Sequence, residues 1–334
     1  MNTPTATGYG LAELDKETRI GGTGIEVQRD IPQIDMSDFF NRRAEIADAL
    51  WDAATGIGFF QLTNHAIPQK LIDEAFDLSE AFFDLPADVK AKYPLAPGTN
   101  AGWEFKEQVR PSTGTADNKE SYQITLPRMS QLWPTGEELA GFKATMLEFE
   151  RANWGLGMKV LSCFADKLGF QTDFFTQAHD PLRAQYQSTL RLIHYLGMEN
   201  AKPEDFKFWR AGAHTDFDCL TLLHQRPGQG GLQLCPGKDS NGRAIAWTDV
   251  PPLPGVITCN IGDMLMRWSD DKLLSNLHRV RMPKPEEYLG PRYSMAFFCQ
   301  ANTDAVLEGP EGKYVPMTAH DYIQMRLGAN FSKK

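Results

Sequence analysis

Residues 210–225, RAGAHTDFDCLTLLHQ, decide how the chain folds and what it can hold. Leu220, Leu222 and Leu223 belong to a short apolar run that reads as a buried strand. His214 and Asp216 stand two apart just before it. In an extended chain the side chains at i and i+2 share a face. The spacing predicts that His214 and Asp216 converge while Thr215 points away. A carboxylate taken out of water needs a partner. Two partners would serve here: a structural hydrogen bond to the imidazole, or a metal ion held by both groups.

The texture differs on the two sides of this stretch. From about residue 183 onward, short apolar segments alternate with Gly/Pro/Asp turns: TLRLIHYLG, CLTLLHQ, GGLQLCPG, AWTDVPP, GVITCNIGDMLMRW, NLHRVRMP and RYSMAFFCQAN. Many short strands at this spacing predict a sandwich or jelly roll. The first half reads as mainly helical. RRAEIADALWDAAT places Ile46, Ala49, Leu50 and Ala53 on one face; residues 69–85 are amphipathic; a long helix is expected across 136–169, broken or eased at Gly155 and Gly157. IPQIDMSDFF reads as a short strand entering a turn, with Ser37 as N-cap of the next helix. GIGFFQLTNHAIP reads as a buried strand, 93–118 as loop, and TAHDYIQMRLGANF as a terminal helix. The expected organisation is a flexible arm over 1–29, a helical support region over 30–182, a jelly-roll region over 183–305 and a C-terminal helix over 306–334. Together they make one compact α+β unit rather than a βαβ array.

Bulk properties narrow the function. The 334 residues are 42% hydrophobic with a net charge of −9 and no long run of one sign. That argues against nucleic acid or an anionic membrane as the main partner. No apolar stretch approaches the roughly 20 residues that span a bilayer. No basic region followed by an apolar one opens the sequence. Cys163, Cys219, Cys235, Cys259 and Cys299 are scattered and form no C-x-x-C, as expected of reduced core residues in a cytoplasmic protein. There is no internal repeat, and GGTG at 21–24 lacks the flanking strand and helix of a phosphate loop.

A second histidine, His278, lies in LLSNLHRVRMP, and Arg292 and Ser294 follow in RYS, sharing a strand face. Two imidazoles and one carboxylate can occupy one face of an octahedral iron(II) and leave three positions open. Arg292 offers a fixed guanidinium fork for a carboxylate, with the Ser294 hydroxyl beside it. That pair predicts a dicarboxylate co-substrate.

In this order, the motifs HTD, NIGDMLMRWSDDKLLSNLHRV and RYS, with IPQIDMSDFF and GFFQLTNHAIP upstream, resemble the iron(II)/2-oxoglutarate-dependent oxygenases of the isopenicillin N synthase-like group. The resemblance covers most of the chain and implies a distorted double-stranded β-helix, or jelly roll, with supporting helices. It implies His214, Asp216 and His278 as iron ligands, and Arg292 and Ser294 on the distal carboxylate of 2-oxoglutarate. Tyr195 matches a tyrosine that often helps hold that co-substrate. The implied cofactors are Fe(II), 2-oxoglutarate and O2, with ascorbate supportive. The implied reaction couples decarboxylation of 2-oxoglutarate, giving succinate and carbon dioxide, to oxidation of a substrate C–H bond. Two features depart from the group. The turn RMPKPEEYLGP places Arg292 further from His278 than is usual, and Ile193 stands where many relatives have Asn.

If Tyr195 faces the iron cavity, alternation brings Arg191 and Ile193 to the same face. Arg191 then anchors an acidic or carbonyl oxygen of the main substrate, with Phe217 packing on its ring; a structural ion pair is the competing explanation for this arginine. Trp103 and Phe298 are further candidates for the pocket wall, as are Phe297 and Trp268, although aromatics in a sandwich commonly serve as core. His65 reads as a hydrogen-bonded structural residue and His194 as core, while His179, His224 and His320 lack a partner pattern. A zinc hydrolase, a 2-oxoglutarate-independent oxidase and a non-catalytic jelly-roll binding module are the competing classes, and R-x-S disfavours the first. The texture is closer to microbial and fungal members than to plant hormone enzymes. It suggests secondary metabolism and a small-molecule substrate: first an aromatic polyketide intermediate, by methyl hydroxylation or ring expansion, and second a thymine-type nucleobase methyl hydroxylation. Oligomeric state has no signature here.

Overall fold

The computed structural model describes residues 24–96, 98–107, 117–199, 209–236 and 245–331. Its helices lie mostly in the first half. Helix α1 (Arg43–Gly56) buries Ile46, Ala47, Leu50, Ala53 and Ala54; of the expected stripe only Ala49 is exposed, its place taken by Ala47. Ser37 is not its cap: the helix starts only after Arg42, and Ser37 Oγ donates to Asp35 Oδ2 at 2.8 Å. Helix α2 (Gln69–Phe83) follows, then short α3 (Ala87–Lys90). The long helix α4 (Phe142–Leu168) runs unbroken through Gly155 and Gly157. Gly157 is a contact point rather than a break, since an added Cβ would lie 2.6 Å from Cys299 Sγ. Gly141 and Gly169, at φ 77° and 81°, bound the helix with left-handed turns. Short helix α5 (Phe174–Ala178) leads into the strands.

The strands are β1 (Ile25–Glu26), β2 (Gln33–Asp35), β3 (Phe59–Thr63), β4 (Gly102–Phe105), β5 (Lys119–Ile124), β6 (Thr189–Tyr195), β7 (Trp209–His214), β8 (Leu220–Gln225), β9 (Leu232–Cys235), β10 (Ala246–Asp249), β11 (Ile257–Ile261), β12 (Leu277–Arg281), β13 (Arg292–Cys299), β14 (Val306–Leu307) and β15 (Met317–Thr318). One sheet has the order β2-β3-β11-β8-β13-β6-β5-β4 and a second the order β1-β10-β9-β12-β7. Apart from the β2–β3 and β1–β10 pairs, both are antiparallel. They face one another across a small apolar cluster to which β6, β13, β7, β9 and β12 contribute Ile193, Tyr195, Ala296, Ala211, Leu232, Leu234 and Val280. The other face of the larger sheet packs on the helices, where Leu190, Leu192, Leu222, Met295 and Phe297 join the main core. This is the expected α+β jelly-roll arrangement.

Four local expectations need correction. The segment 93–118 is not all loop: β4 pairs with β5, a strand the sequence did not announce. Pro97, Pro111 and Gly114 of that segment lie outside the described residues. GVITCNIGDMLMRW is only half strand. Gly262 ends β11 in extended conformation, and helix α6 (Asp263–Trp268) starts at once, with Asp263 in its first turn and all six residues buried. Residues 1–23 of the expected arm also lie outside the described residues, and Ile25–Glu26 at its end already pairs with β10. The final helix, α7 (Ala319–Phe331), covers the TAHDYIQMRLGANF segment, but it is shorter than the 306–334 expected: β14 and β15 pair with each other before it.

Candidate metal centre and active site

His214 ends β7 and stands directly opposite His278 of β12 in the antiparallel ladder. Their ring centres are 4.2 Å apart. Asp216 is not on a strand: β7 stops at His214 and β8 begins at Leu220, so Asp216 sits in the connecting turn. Cross-strand pairing and this turn, rather than strand alternation, make the three groups converge. Thr215 does point away, into a buried contact with Asp263.

One ligand atom from each of His214, Asp216 and His278 lies within 4.8 Å of the others. Asp216 Oδ1 is 3.6 Å from His278 Nε2 and 4.0 Å from His214 Nε2. Each group is oriented from behind. His214 Nδ1 lies 2.7 Å from the carbonyl of Gly212, which accepts its proton and leaves the Nε2 lone pair facing inward. Asp216 Oδ2 accepts from Thr221 Oγ1 at 2.6 Å and Asn260 Nδ2 at 2.9 Å, which leaves Oδ1 for the centre. Two imidazole nitrogens and one carboxylate oxygen, all aimed at one point, suit iron(II) with open positions. Behind them, burial and then the neighbouring Asp216 charge hold the Asp218 carboxyl well above its ordinary range.

Arg292 and Ser294 share a face, as the alternation predicts. Arg292 is 1% exposed and stands opposite Tyr195; Ser294 stands opposite Ile193. Arg292 Nε donates to the carbonyls of Gln229 and Gly230, each at 3.0 Å, Nη2 donates to Gln225 Oε1 at 3.1 Å, and Nη1 lies 3.3 Å from Ser294 Oγ. Among the described residues no carboxylate lies within ion-pair distance of this guanidinium, which suits it to a carboxylate from outside the chain. The longer turn before it is well tied: Arg281 grips Glu287 through two bonds of 2.7 Å, and Lys284 N–H donates to Glu287 at 2.9 Å. The added length therefore leaves R-x-S in register with β6. Buried Arg210 donates to the carbonyl of Gly290 in the same turn, and burial together with the like charge of Arg292 pushes it down to about 10.

Arg191, Ile193 and Tyr195 face inward together, and so does Phe298 from β13. The Arg191 guanidinium lies 5.5 Å from the Phe298 ring centre, and its Nη2 donates to Gln123 Oε1 at 2.8 Å. Gln123 and Ser121 in turn donate to Glu104 Oε1, at 3.4 and 2.6 Å. Gln123, Ser121 and Glu104 were missed from sequence. Once β5 is recognised, alternation in KESYQI aligns Ser121 and Gln123 with Ile193 and Arg191. Trp103 does not join them. It pairs with Tyr122 on the helix-facing side, where its Nε1 donates to Glu120 at 2.7 Å. Phe297 and Trp268 also belong to the main core. Phe217 lies beside the metal turn, with Arg326 over its ring at 4.5 Å.

His65, His194 and His224 have local partners. His65 Nδ1 accepts from Ile67 N–H, His194 lies 2.9 Å from Glu120 and stacks on Tyr293, and His224 Nε2 lies 2.7 Å from Asn153 Oδ1. A cavity of about 210 Å³ lies between α2 and residues 224–227 and 253–256. No helix among the described residues is long and apolar enough to cross a membrane.

Known proteins match this arrangement along most of the chain. Residues 182–301 match the model of the 2OG-Fe(II) oxygenase superfamily, and residues 31–136 match that of the non-haem dioxygenase in morphine synthesis N-terminal region. The chain is 31% identical to the 2-oxoglutarate-Fe(II) type oxidoreductase hxnY of Emericella nidulans, covering 88% of each chain. It is 32% identical to the proline hydroxylase buaE of Petromyces alliaceus, over 89% of this chain and 98% of that one. The crystal structure of Neurospora crassa T7H with alpha-KG and thymine superposes with a TM-score of 0.78 at 32% identity, covering 91% of this chain and 99% of T7H.

Proposed function

The chain belongs to the 2OG-Fe(II) oxygenase superfamily, and on that premise we propose that it oxidises a C–H bond of a small, planar ring compound carrying an acidic or carbonyl oxygen. In this reading His214, Asp216 and His278 hold iron(II), and Arg292, Ser294 and Tyr195 hold 2-oxoglutarate. Iron(II) held there, with 2-oxoglutarate and dioxygen, would supply the oxidising power, with succinate and carbon dioxide as co-products. The chain's own residues bind, aim and exclude. Thr221 and Asn260 keep one Asp216 oxygen turned to the centre. Arg292 and nearby Arg210 gather positive charge at the end of the face where 2-oxoglutarate would sit, and Tyr195 lies against the Arg292 guanidinium. The apolar lining of Ile193, Ala296, Leu232 and Leu234 keeps water away from the reacting bond.

The observation that carries the substrate reading is the pairing of Arg191 with Phe298 on the wall that also bears Tyr195 and Arg292. Arg191 is four residues from Tyr195 along β6, a span of about 13 Å. Two cations on one wall at that separation serve two different ligands. Arg191 meets the substrate oxygen, Phe298 and Phe217 offer ring contacts, and the Gln123–Glu104 chain holds the guanidinium in place. Hydroxylated aromatic compounds of the polyketide type, oxidised at a methyl group or by ring expansion, are the first candidates. Thymine-type methyl hydroxylation is the second reading, favoured by the likeness to the thymine-bound T7H structure.

The test is succinate formation with iron(II), ascorbate and 2-oxoglutarate, read against a panel of methylated phenols, pyrimidines and cyclic amino acids. A ring compound with a polar oxygen should stimulate succinate release and gain oxygen by mass. Stimulation by proline alone would refute the planar-ring reading. Full product yield without 2-oxoglutarate would move the enzyme to the oxidase class.

A further inference from the structure

The C-terminal helix α7 sends one long side chain into the heart of the protein. Arg326 is 0% exposed, and its Nη2 lies 2.6 Å from Asp263 Oδ2, itself 0% exposed. The same nitrogen is 3.2 Å from Thr215 Oγ1, and Thr215 donates to Asp263 Oδ2 at 2.9 Å. The guanidinium also covers the Phe217 ring at 4.5 Å. Thr215 stands between His214 and Asp216, and Phe217 follows them. The start of α6 holds the backbone of the same turn: Asp263 N–H donates to the Asp216 carbonyl at 2.8 Å, Met264 N–H to the Asp218 carbonyl at 3.1 Å, and Gly262 N–H to the Cys219 carbonyl at 3.2 Å.

We infer that Arg326 and Asp263 are positioning residues for the metal site, and that α7 acts through Thr215 to fix the spacing of His214 and Asp216. The inference rests on the reading of those two residues as metal ligands. Its physical basis is the position of Asp216. A strand holds His214 and His278, but Asp216 lies in a turn with no ladder of its own, so its distance to the histidines depends on what grips that turn. Thr221 and Asn260 orient the carboxylate, whereas Arg326, Asp263 and Thr215 hold the backbone that carries it. A buried ion pair adds little net stability compared with well-packed apolar residues, but it is directional and suits a registry role.

The test uses the full-length metal-free protein and Co(II) alone as probe, read by visible absorption, which reports coordination geometry as well as affinity. Thr215→Val keeps the shape and the ion pair but removes the hydroxyl link; Arg326→Met removes the cation at similar bulk. His278→Ala serves as control for the ligand assignment. If wild type binds one Co(II) and the control does not, the ligand reading stands. Both positioning variants should then bind Co(II) about 10–100-fold more weakly, with an altered spectrum, while native circular dichroism persists. They should also form more succinate per product than wild type. Arg326→Lys should recover part of the affinity. Should Arg326→Met fail to fold, Thr215→Val decides alone. Wild-type affinity and spectrum in folded Thr215→Val would overturn the inference without touching the ligand assignment.

Discussion

Arg292 and Tyr195 stand opposite one another in the β13–β6 ladder, with the guanidinium carbon 4.9 Å from the centre of the phenol ring. The contact places a cation on an aromatic face in a fully buried setting. Arg292→Ala should raise the Michaelis constant for 2-oxoglutarate about 10–150-fold, from loss of a charge-assisted bond of about 1.5–3 kcal/mol. The constant for the main substrate should move far less. Steady-state kinetics with each substrate varied in turn checks this, and equal changes in both constants would contradict it.

Removing a metal ligand should be more severe. His214→Ala, Asp216→Ala or His278→Ala should abolish turnover and strongly weaken iron binding. Thr221→Val, which removes the 2.6 Å donor to Asp216 Oδ2, should cost about 10–100-fold in activity or metal affinity. Iron stoichiometry of the purified variants, with succinate release, tests both. Wild-type activity in Asp216→Ala would remove the central assignment.

Arg191→Leu removes a charge at nearly constant volume. Main-substrate affinity should fall about tenfold or more, while iron and 2-oxoglutarate binding persist. Gln123→Leu should produce a weaker version of the same loss, because Gln123 Oε1 accepts from the guanidinium at 2.8 Å. Unchanged substrate affinity in Arg191→Leu would make this arginine structural.

Acid should destabilise the fold through two buried histidines. Burial pushes His179 down to about 4 and His224 down to about 3, from the ordinary 6.5. Between those values and 6.5 the unfolded chain binds protons that the native state excludes, so native stability falls as pH drops below about 6.5. Each site contributes a slope of up to about 1.4 kcal/mol per pH unit in its window. Urea midpoints at about pH 7.5 and about pH 5 measure this, and His224→Gln should flatten the slope by roughly one proton's share. A stability that rises on acidification across this range would contradict the assignment.

Much of this architecture could be read from the chain, because strand period and turn composition leave plain marks. H-x-D, His278 and R-x-S all announce themselves as polar groups within apolar runs. The partners that orient them do not. Thr221 and Asn260 sit in ordinary strand sequence, and only the β8–β11 pairing brings Asn260 opposite Thr221 behind Asp216. WRAGAH, the strand that ends in His214, has little apolar pattern to mark its own length; its partner β12 supplies the ladder. Trp103 was misplaced for a related reason. An aromatic in a loop-like stretch gives no hint of facing until β4 is known to pair with β5. Arg326 was legible only as one charge in an amphipathic helix, since its partner Asp263 is far away in sequence.

Strand β6 is hydrogen-bonded along both edges, to β5 and to β13, and carries Tyr195 at its C-terminal end and Arg191 near its start. A strand clamped on both sides cannot slide without turning every side chain to the wrong face. If Arg191 meets the substrate as proposed, new substrate preferences should come from exchanging side chains at 191, 123 and 104 rather than from shifting the backbone. For an engineer, this makes β6 a fixed rail with a replaceable head: libraries confined to those three positions should vary the compound accepted and leave the demand for 2-oxoglutarate intact.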